Sequence, residues 1–396
     1  MKKTIKIFVL GLLSAALFSC QDAALPAIDN MVYISDAANG KVGNVTMAEG
    51  DTKVSFTVRL AHETTEDIKV AIAIDPSVLA NYNETYQASF NHVAPENLEV
   101  PALAVIPAGS TSSEPITINV KAFDPMGAQY ALSFRITSKG DVPVAESSSK
   151  YIIQLMKPLK QLCPKFACEN AMQCNPIEDA WGYELMNYTL EWWVKMTGYY
   201  SPEDGFSINN QAIINSGGQD CELYVRFGDA IYGWGIYNYL QIKTMGSQFD
   251  TGDPNQGFGL TAAQWYHFAI SYDGNTGDNL MYMNGQMVSK LNTGAGRPMR
   301  IDRFQMCSSG YQYFPNYAEM CQVRLWKTTR SEAQIQKNMR SEVAYNSPDL
   351  IMYLPMSEGE GSVLHDVTGN GHDCTIGSLP GVGSNNQAIS WTEYAF

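Results

Sequence analysis

Apolar residues recur at every second position in many short runs of this chain, and that period decides what it can fold into. Val54, Phe56, Val58 and Leu60 alternate with Ser55, Thr57 and Arg59. Successive side chains of a strand point to opposite faces, so this pattern predicts a strand with one buried face. Ile116, Ile118 and Val120 repeat it, Leu132, Phe134 and Ile136 follow, and residues 151–155 make another strand. Further on, Leu190, Trp192, Val194 and Met196 alternate with Glu191, Trp193 and Lys195. Residues 265–272 form a near-continuous apolar strand stopped by Asp273-Gly274. Residues 280–283 run into Asn284-Gly285, a pair that tolerates the positive φ of a tight hairpin turn, and Val288 begins the return strand. Turn signals separate the early strands: Asn39-Gly40, Asp75-Pro76, Pro107-Ala108-Gly109, Asp124-Pro125 and Lys139-Gly140-Asp141. The exception is Ser331-Glu332-Ala333-Gln334, a capping box that predicts a short helix to about Met339. The expectation is an all-β protein. At 396 residues it exceeds one ordinary domain, and 45% hydrophobic against 17% charged residues excludes a disordered chain.

The first residues read as an address. Lys2, Lys3 and Lys6 precede an apolar stretch from Ile7 to Phe18. At roughly 1.5 Å per residue it is too short for a bilayer core of about 30 Å, and it reads as a secretory signal peptide. Leu17-Phe18-Ser19-Cys20 resembles the lipobox of bacterial lipoproteins, which implies a signal peptide over 1–19, lipidation of Cys20 and a lipidated tether over 20–30. Gln21-Asp22 is similar to the acidic start of surface-exported Bacteroidetes lipoproteins. The expected location is the outer membrane, lipid-anchored and facing the exterior. The whole chain carries a net charge of −14; losing the leader removes three lysines and no acid, so 23 basic and 40 acidic residues remain, a net −17. Such a chain is repelled by phosphate backbones, so nucleic acid is not an expected partner. Seven cysteines follow Cys20, an odd number that leaves at least one thiol unpaired. Cys163, Cys168 and Cys174 could bind a metal, form a local disulfide or stay as free thiols, the last two favoured over the metal, and Cys307 could face Cys321 across a hairpin.

Two resemblances organise the rest. Leu79-Ala80-Asn81-Tyr82-Asn83, Val105-Ile106-Pro107-Ala108-Gly109-Ser110 and Tyr130-Ala131-Leu132 resemble the N-terminal DUF1735 domain of Bacteroidetes surface lipoproteins. Residues 31–157 are assigned to it as an immunoglobulin-like sandwich, and the resemblance implies a spacer or binding accessory. Residues 158–174, with Pro158 and Pro164 and no periodicity, are read as the joint. In residues 175–396 an ordered set resembles a laminin-G or concanavalin A-like domain. The set is Tyr188-Thr189-Leu190-Glu191-Trp192-Trp193, Trp265-Tyr266-His267-Phe268-Ala269, Tyr282-Met283-Asn284-Gly285, Val323-Arg324-Leu325-Trp326 with Arg330-Ser331, residues 350–354, and Asp366-Val367-Thr368-Gly369-Asn370-Gly371. It implies a concanavalin A-like jelly-roll sandwich of two antiparallel sheets.

That fold hosts lectins and glycosidases alike, so function must be argued from residues. A retaining glycosidase needs two carboxylates about 5–5.5 Å apart. The Glu-x-Asp-x-x-Glu triplet of jelly-roll glucanases does not occur; Glu191 sits among apolar residues, Glu203-Asp204 in a loop and Glu358-Gly359-Glu360 in a turn. No catalytic residue is assigned, and His267 reads as packed. No cofactor is assigned either, although the turn between His365-Asp366 and His372-Asp373 could offer oxygens to a structural calcium. A stacking surface remains. Residues 226–239 interleave aromatics with glycines, and the expected ligand contacts are Asp229, Tyr232, Trp234, Tyr237 and Asn238, with the loop from Phe249 to Phe258 next in line. Rings offer flat apolar area to sugar C–H faces while polar groups meet hydroxyls. The reading is a non-catalytic cell-surface carbohydrate-binding lipoprotein, its partners a glycan, the membrane through its lipid and outer-membrane glycan-uptake proteins. An adhesin or structural protein binding other proteins is the alternative, and a glycoside hydrolase the third.

Overall fold

The computed structural model describes residues 29–38, 41–86, 88–175, 181–199, 210–217, 222–229, 231–310, 313–385 and 389–396. The leader, Cys20, the Glu203-Asp204 loop and Cys221 lie outside the described residues. Two β sandwiches follow one another, the expected all-β architecture.

In the first, Val42–Thr46, Lys150–Met156, Tyr130–Ser138, Ile68–Ile74 and Leu103–Ile106 lie side by side in that order, with Asn91–His92 added beside Tyr130. Thr52–Phe56, Ile116–Val120 and Leu98–Glu99 make the facing sheet. The alternation read from the sequence sets which side faces in: Val54, Phe56, Ile116, Ile118 and Val120 are buried from one sheet, Leu132, Phe134 and Ile136 from the other. The Phe56 ring meets Phe134 across the core at 5.2 Å. Each such buried side chain contributes about 1.5–3 kcal/mol of apolar transfer.

Asp75-Pro76 is a helix start rather than a bare turn, a correction to the sequence reading. Pro76–Tyr86 forms an 11-residue helix. The Asp75 carboxylate accepts from the Ser77 amide at 3.0 Å and its hydroxyl at 2.6 Å, and it pairs with Arg135 at 2.5 Å. Proline fits the first helical turn, where its missing N–H has no partner to lose. Only Leu79 of this helix is buried, so no apolar stripe announces it. The residues of the DUF1735 resemblance that it carries are structural: Tyr82 Oη accepts from Gln154 at 3.0 Å, and the Asn83 amide brackets the Phe90 backbone with bonds of 2.8 and 3.1 Å.

The second sandwich packs two eight-stranded sheets face to face. One runs Gln286–Asn292, Asp278–Met283, Trp265–Asp273, Asn187–Met196, Ala318–Trp326, Lys160–Phe166, Ser390–Ala395, with Leu350–Leu354 also paired to Ala318–Trp326. The other runs Ser247–Asp250, Leu240–Thr244, Leu223–Phe227, Gln211–Ser216, Phe304–Met306, Met172–Cys174, Cys374–Thr375, Val363–Leu364. Phe227 and Phe268 meet across the interior at 6.4 Å, and Trp192 and Tyr188 are fully buried beside them.

Much of the expected joint belongs to this sandwich. Lys160–Phe166 is a strand, paired along its length with the C-terminal Ser390–Ala395 and at its end with Ala318–Trp326. Its period of two is hidden because Gln161 and Cys163 point inward while Leu162 is 37% exposed. The cysteines are arranged by these strands. Cys174 and Cys374 stand opposite each other in register and form a disulfide, with Cα atoms 3.8 Å apart. Cys307 does not pair with Cys321: the buried Cys321 thiol neighbours Cys163, and burial raises it well above its ordinary value. Cys168 is free, its thiol pushed up to about 12 by burial and then by Glu169.

The Cys174–Cys374 bridge closes a loop of 200 residues. In the chain-entropy account that restricts the unfolded chain by about 5 kcal/mol. Replacing both cysteines by serine is expected to lower the free energy of unfolding by several kcal/mol in guanidinium titrations. Non-reducing peptide mapping should return the 174–374 pair from the parent chain.

Candidate functional site

Two loops at one end of the second sheet make the candidate site. Residues 228–239 connect strand Leu223–Phe227 to Leu240–Thr244, and residues 251–260 follow Ser247–Asp250. They are fastened to each other. Tyr232 Oη donates to Asp250 at 2.8 Å, the Asn238 amide donates to the Leu260 carbonyl at 3.0 Å, and the Leu260 N–H returns to the Asn238 carbonyl at 2.7 Å. The Tyr232 ring stands edge-on to Tyr239 at 4.9 Å. Burial first, and then the Asp250 carboxylate, raise the Tyr232 phenol above its usual range, so it remains a hydrogen-bond donor at neutral pH.

On this support Trp234 is 64% exposed. Its neighbours Gly233 and Gly235 have φ of 117° and 82°, left-handed values that a side chain would strain, and they turn the indole outward. Phe258 on the second loop is 56% exposed, its ring lying over Gly252, where a Cβ would come within 2.9 Å. Among the described residues only four aromatic side chains are largely exposed, Tyr86, Trp234, Phe258 and Tyr317, and two of them lie on these loops.

The five expected contact residues divide. Trp234 is free to stack, and Tyr232 is half-buried beneath the loop. Asp229 is ion-paired with Arg226, which also binds Gln241 at 2.9 Å. Asn238 holds the loops together, with so little space that a Cβ on Gly259 would lie 2.6 Å from its amide nitrogen. Tyr237 is a correction: it is 1% exposed and belongs to the sandwich core. Tyr237 and Tyr239 are both buried in the stretch that leads into strand Leu240–Thr244. Phe258, in the second-choice loop, takes the exposed place instead.

The carboxylates and histidines weighed for chemistry are structurally committed. Glu191 is fully buried on the outward side of its strand, with the Arg330 guanidinium Nε at 3.0 Å, a contact of charge rather than of hydrogen-bond geometry, and the His267 ring Nε2 at 3.7 Å. His267 is held neutral: burial first, then Arg324 and Arg330, bring it down to about 3. Arg324, 1% exposed, donates to the Asn338 carbonyl at 3.0 Å and the Ser341 carbonyl at 2.6 Å. At the other turn, Asp366 Oδ1 accepts from Tyr353 N–H and from the Thr368 hydroxyl and amide, while Oδ2 meets the His372 ring at 2.8 Å. Burial acts to raise this carboxyl, and the bonds from His372, Tyr353 and Thr368 outweigh it and hold it below the usual range. These oxygens organise a Gly-rich turn. Among the described residues no group of three or more His, Cys, Asp or Glu side chains is placed to hold a metal.

Comparison with known proteins agrees with this architecture. Residues 181–336 match the family model of the concanavalin A-like lectin and glucanase superfamily, and residues 28–143 match an N-terminal-domain model, the DUF1735-like module. A crystal structure from Bacteroides ovatus ATCC 8483, of a candidate carbohydrate-binding protein, is similar with 21% identity and a TM-score of 0.61, covering 89% of this chain and 99% of that one. A two-domain protein of unknown function from Bacteroides fragilis NCTC 9343 gives 11% identity and 0.29 over 74% and 94%. The Bacteroides thetaiotaomicron protein EndoBT-3987, solved with a Man5GlcNAc product, gives 15% and 0.27 over 32% and 30%. No curated protein matches.

The buried histidine makes stability depend on pH. With His267 at about 3 in the folded chain against 6.5 ordinarily, the unfolded chain binds a proton that the folded chain refuses. Stability therefore falls as pH drops from about 6.5 toward 3, by at most about 1.4 kcal/mol per pH unit from this group. His92, also lowered by burial, acts in the same sense. His267→Gln is expected to flatten the decline of the thermal midpoint between pH 7 and pH 5, where carboxylates titrate little.

Proposed function

We propose that this protein is a non-catalytic carbohydrate-binding protein of the cell surface, which captures glycans on the Trp234 loop and is anchored through lipid on Cys20. The observation that carries the reading is Trp234, a 64% exposed indole on a loop held rigid by the Tyr232–Asp250 and Asn238–Leu260 bonds. A sugar ring lies on the indole, and its hydroxyls meet the Asp229 carboxylate of the same loop. The two-sheet concanavalin A-like domain and the likeness to a candidate carbohydrate binder support this. Glu191 is spent on Arg330 and is no free acid or base. Capture beside outer-membrane uptake proteins is the role that the leader and lipobox imply.

Aromatic stacking is worth about 0.5–1.5 kcal/mol per ring, so binding in the micromolar to millimolar range is expected. On a glycan array the mature protein should retain a subset of glycans, and Trp234→Ala should weaken them on the order of tenfold with the thermal midpoint nearly unchanged. Tyr237→Ala, by contrast, should cost about 3–5 kcal/mol of stability as a core truncation. Retention of host matrix proteins in place of glycans would favour an adhesin. For the anchor, Cys20→Ala should move the protein from the membrane pellet to the soluble fraction, with protease shaving of intact cells reporting its side. No described helix is long and apolar enough to cross a membrane. A variant that stays in the pellet would overturn lipidation as the anchor.

A further inference from the structure

A second concave feature lies between the two domains, away from the Trp234 loop. It is a cavity of about 370 Å³, walled by Phe90 and Tyr130 from the first domain and by the end of helix Glu332–Asn338 and the following turn from the second. That size falls within the range of small-ligand pockets, about 300–1,000 Å³. Its charge is opposite to that of the chain. Lys157, Lys160, Lys337 and Arg340 converge on it from two segments far apart in sequence, with Glu342 the one acid in the lining, in a protein of net charge −14.

Lys160 is met by Glu393 at 3.3 Å. Among the described residues no carboxylate lies within ion-pair distance of Lys157, Lys337 or Arg340. Lys337 instead projects its ammonium over the Phe90 ring, 5.0 Å from the centroid, and burial lowers its pKa with no acid opposing the shift. A desolvated cation without a counter-charge favours an anion that enters beside it. The walls are fixed in advance. Arg324 holds the Asn338 and Ser341 carbonyls, and Trp193 Nε1 donates to the Met339 carbonyl at 2.7 Å. Across the domain boundary, Gly127 approaches so closely that a Cβ would sit 2.1 Å from the Val343 carbonyl oxygen.

We propose that this cleft binds an acidic saccharide, its carboxylate or sulfate ester between Lys337 and Arg340 and its ring against the partly exposed Tyr130. The proposal rests on the reading of the chain as a glycan-binding protein and gives that reading a ligand class and a second site. Charge on the ligand supplies attraction that the acidic remainder of the surface withholds, and the aromatic wall supplies the apolar contact a sugar face needs.

The test is calorimetric titration of the mature full chain with three probes: trigalacturonate, a sulfated disaccharide and neutral maltotriose. The carboxylate and sulfate arms separate the two sources of negative charge, and binding in either supports the site. The expected result is binding of an anionic probe that weakens at least tenfold between low and high salt. Lys337→Gln with Arg340→Gln should weaken it at least tenfold at an unchanged thermal midpoint, while Trp234→Ala leaves it intact. The proposal is overturned if the double variant binds anionic probes as the parent does, if maltotriose competes equally for the cleft, or if neither anionic probe binds. Neutral glycans bound in a Trp234-dependent way, with no anionic binding, would sink the cleft and spare the loop. Anionic binding lost in the double variant, with Trp234→Ala silent on every glycan, would do the reverse.

Discussion

The guanidinium of Arg324 is the point on which the second domain's outer layer depends. It is 1% exposed, on the central strand of its sheet, and it reaches the Asn338 and Ser341 carbonyls and the Gln322 side chain. Gln322 has φ of 55° and lies where the pairing of Glu191 and Trp193 slips by one residue, so the same contact that binds the helix end also occupies the bulge. Gln322 passes the bond on to Gln161 at 2.6 Å, in the strand that leads in from the first domain. Removing one partner from such a buried charged network costs about 3–5 kcal/mol, because the others are left without solvent or counter-charge.

Rigidity of that layer has a consequence for binding. The carbonyls that end helix Glu332–Asn338 are turned inward to Arg324 and Trp193, which leaves Lys337 and Arg340 on the side facing the first domain. The cleft is therefore a by-product of how the helix is capped. The backbone that carries its cations is already held, so less conformational entropy is lost there than on a loose surface.

The Trp234 loop solves a different problem. An exposed indole needs a backbone that does not collapse onto the core, and the Tyr232–Asp250 and Asn238–Leu260 bonds supply the brace. Three of the five residues expected to touch ligand are spent on this frame or on the core. The ring that remains free is flanked by two glycines in left-handed conformation. A stacking surface here consists of few residues, with many behind it.

What the sequence determined by itself was the period. Alternation in Val54–Leu60, Ile116–Val120 and Leu190–Met196 decides strand and inward face locally, because a side chain's direction in a strand depends only on its position parity. The capping box at Ser331 was equally local and forms as read, with Gln334 Oε1 2.9 Å from the Ser331 amide. Helix Pro76–Tyr86 escaped because it buries a single side chain, and strand Lys160–Phe166 because its inward positions are Gln161 and Cys163. Only the tertiary structure decided that Tyr237 is core while Trp234 is surface, and that Lys157 and Lys160 meet Lys337 and Arg340. Neither is a property of neighbouring residues: each depends on which segments, nearly two hundred residues apart in the case of the cleft, the closing strands bring together.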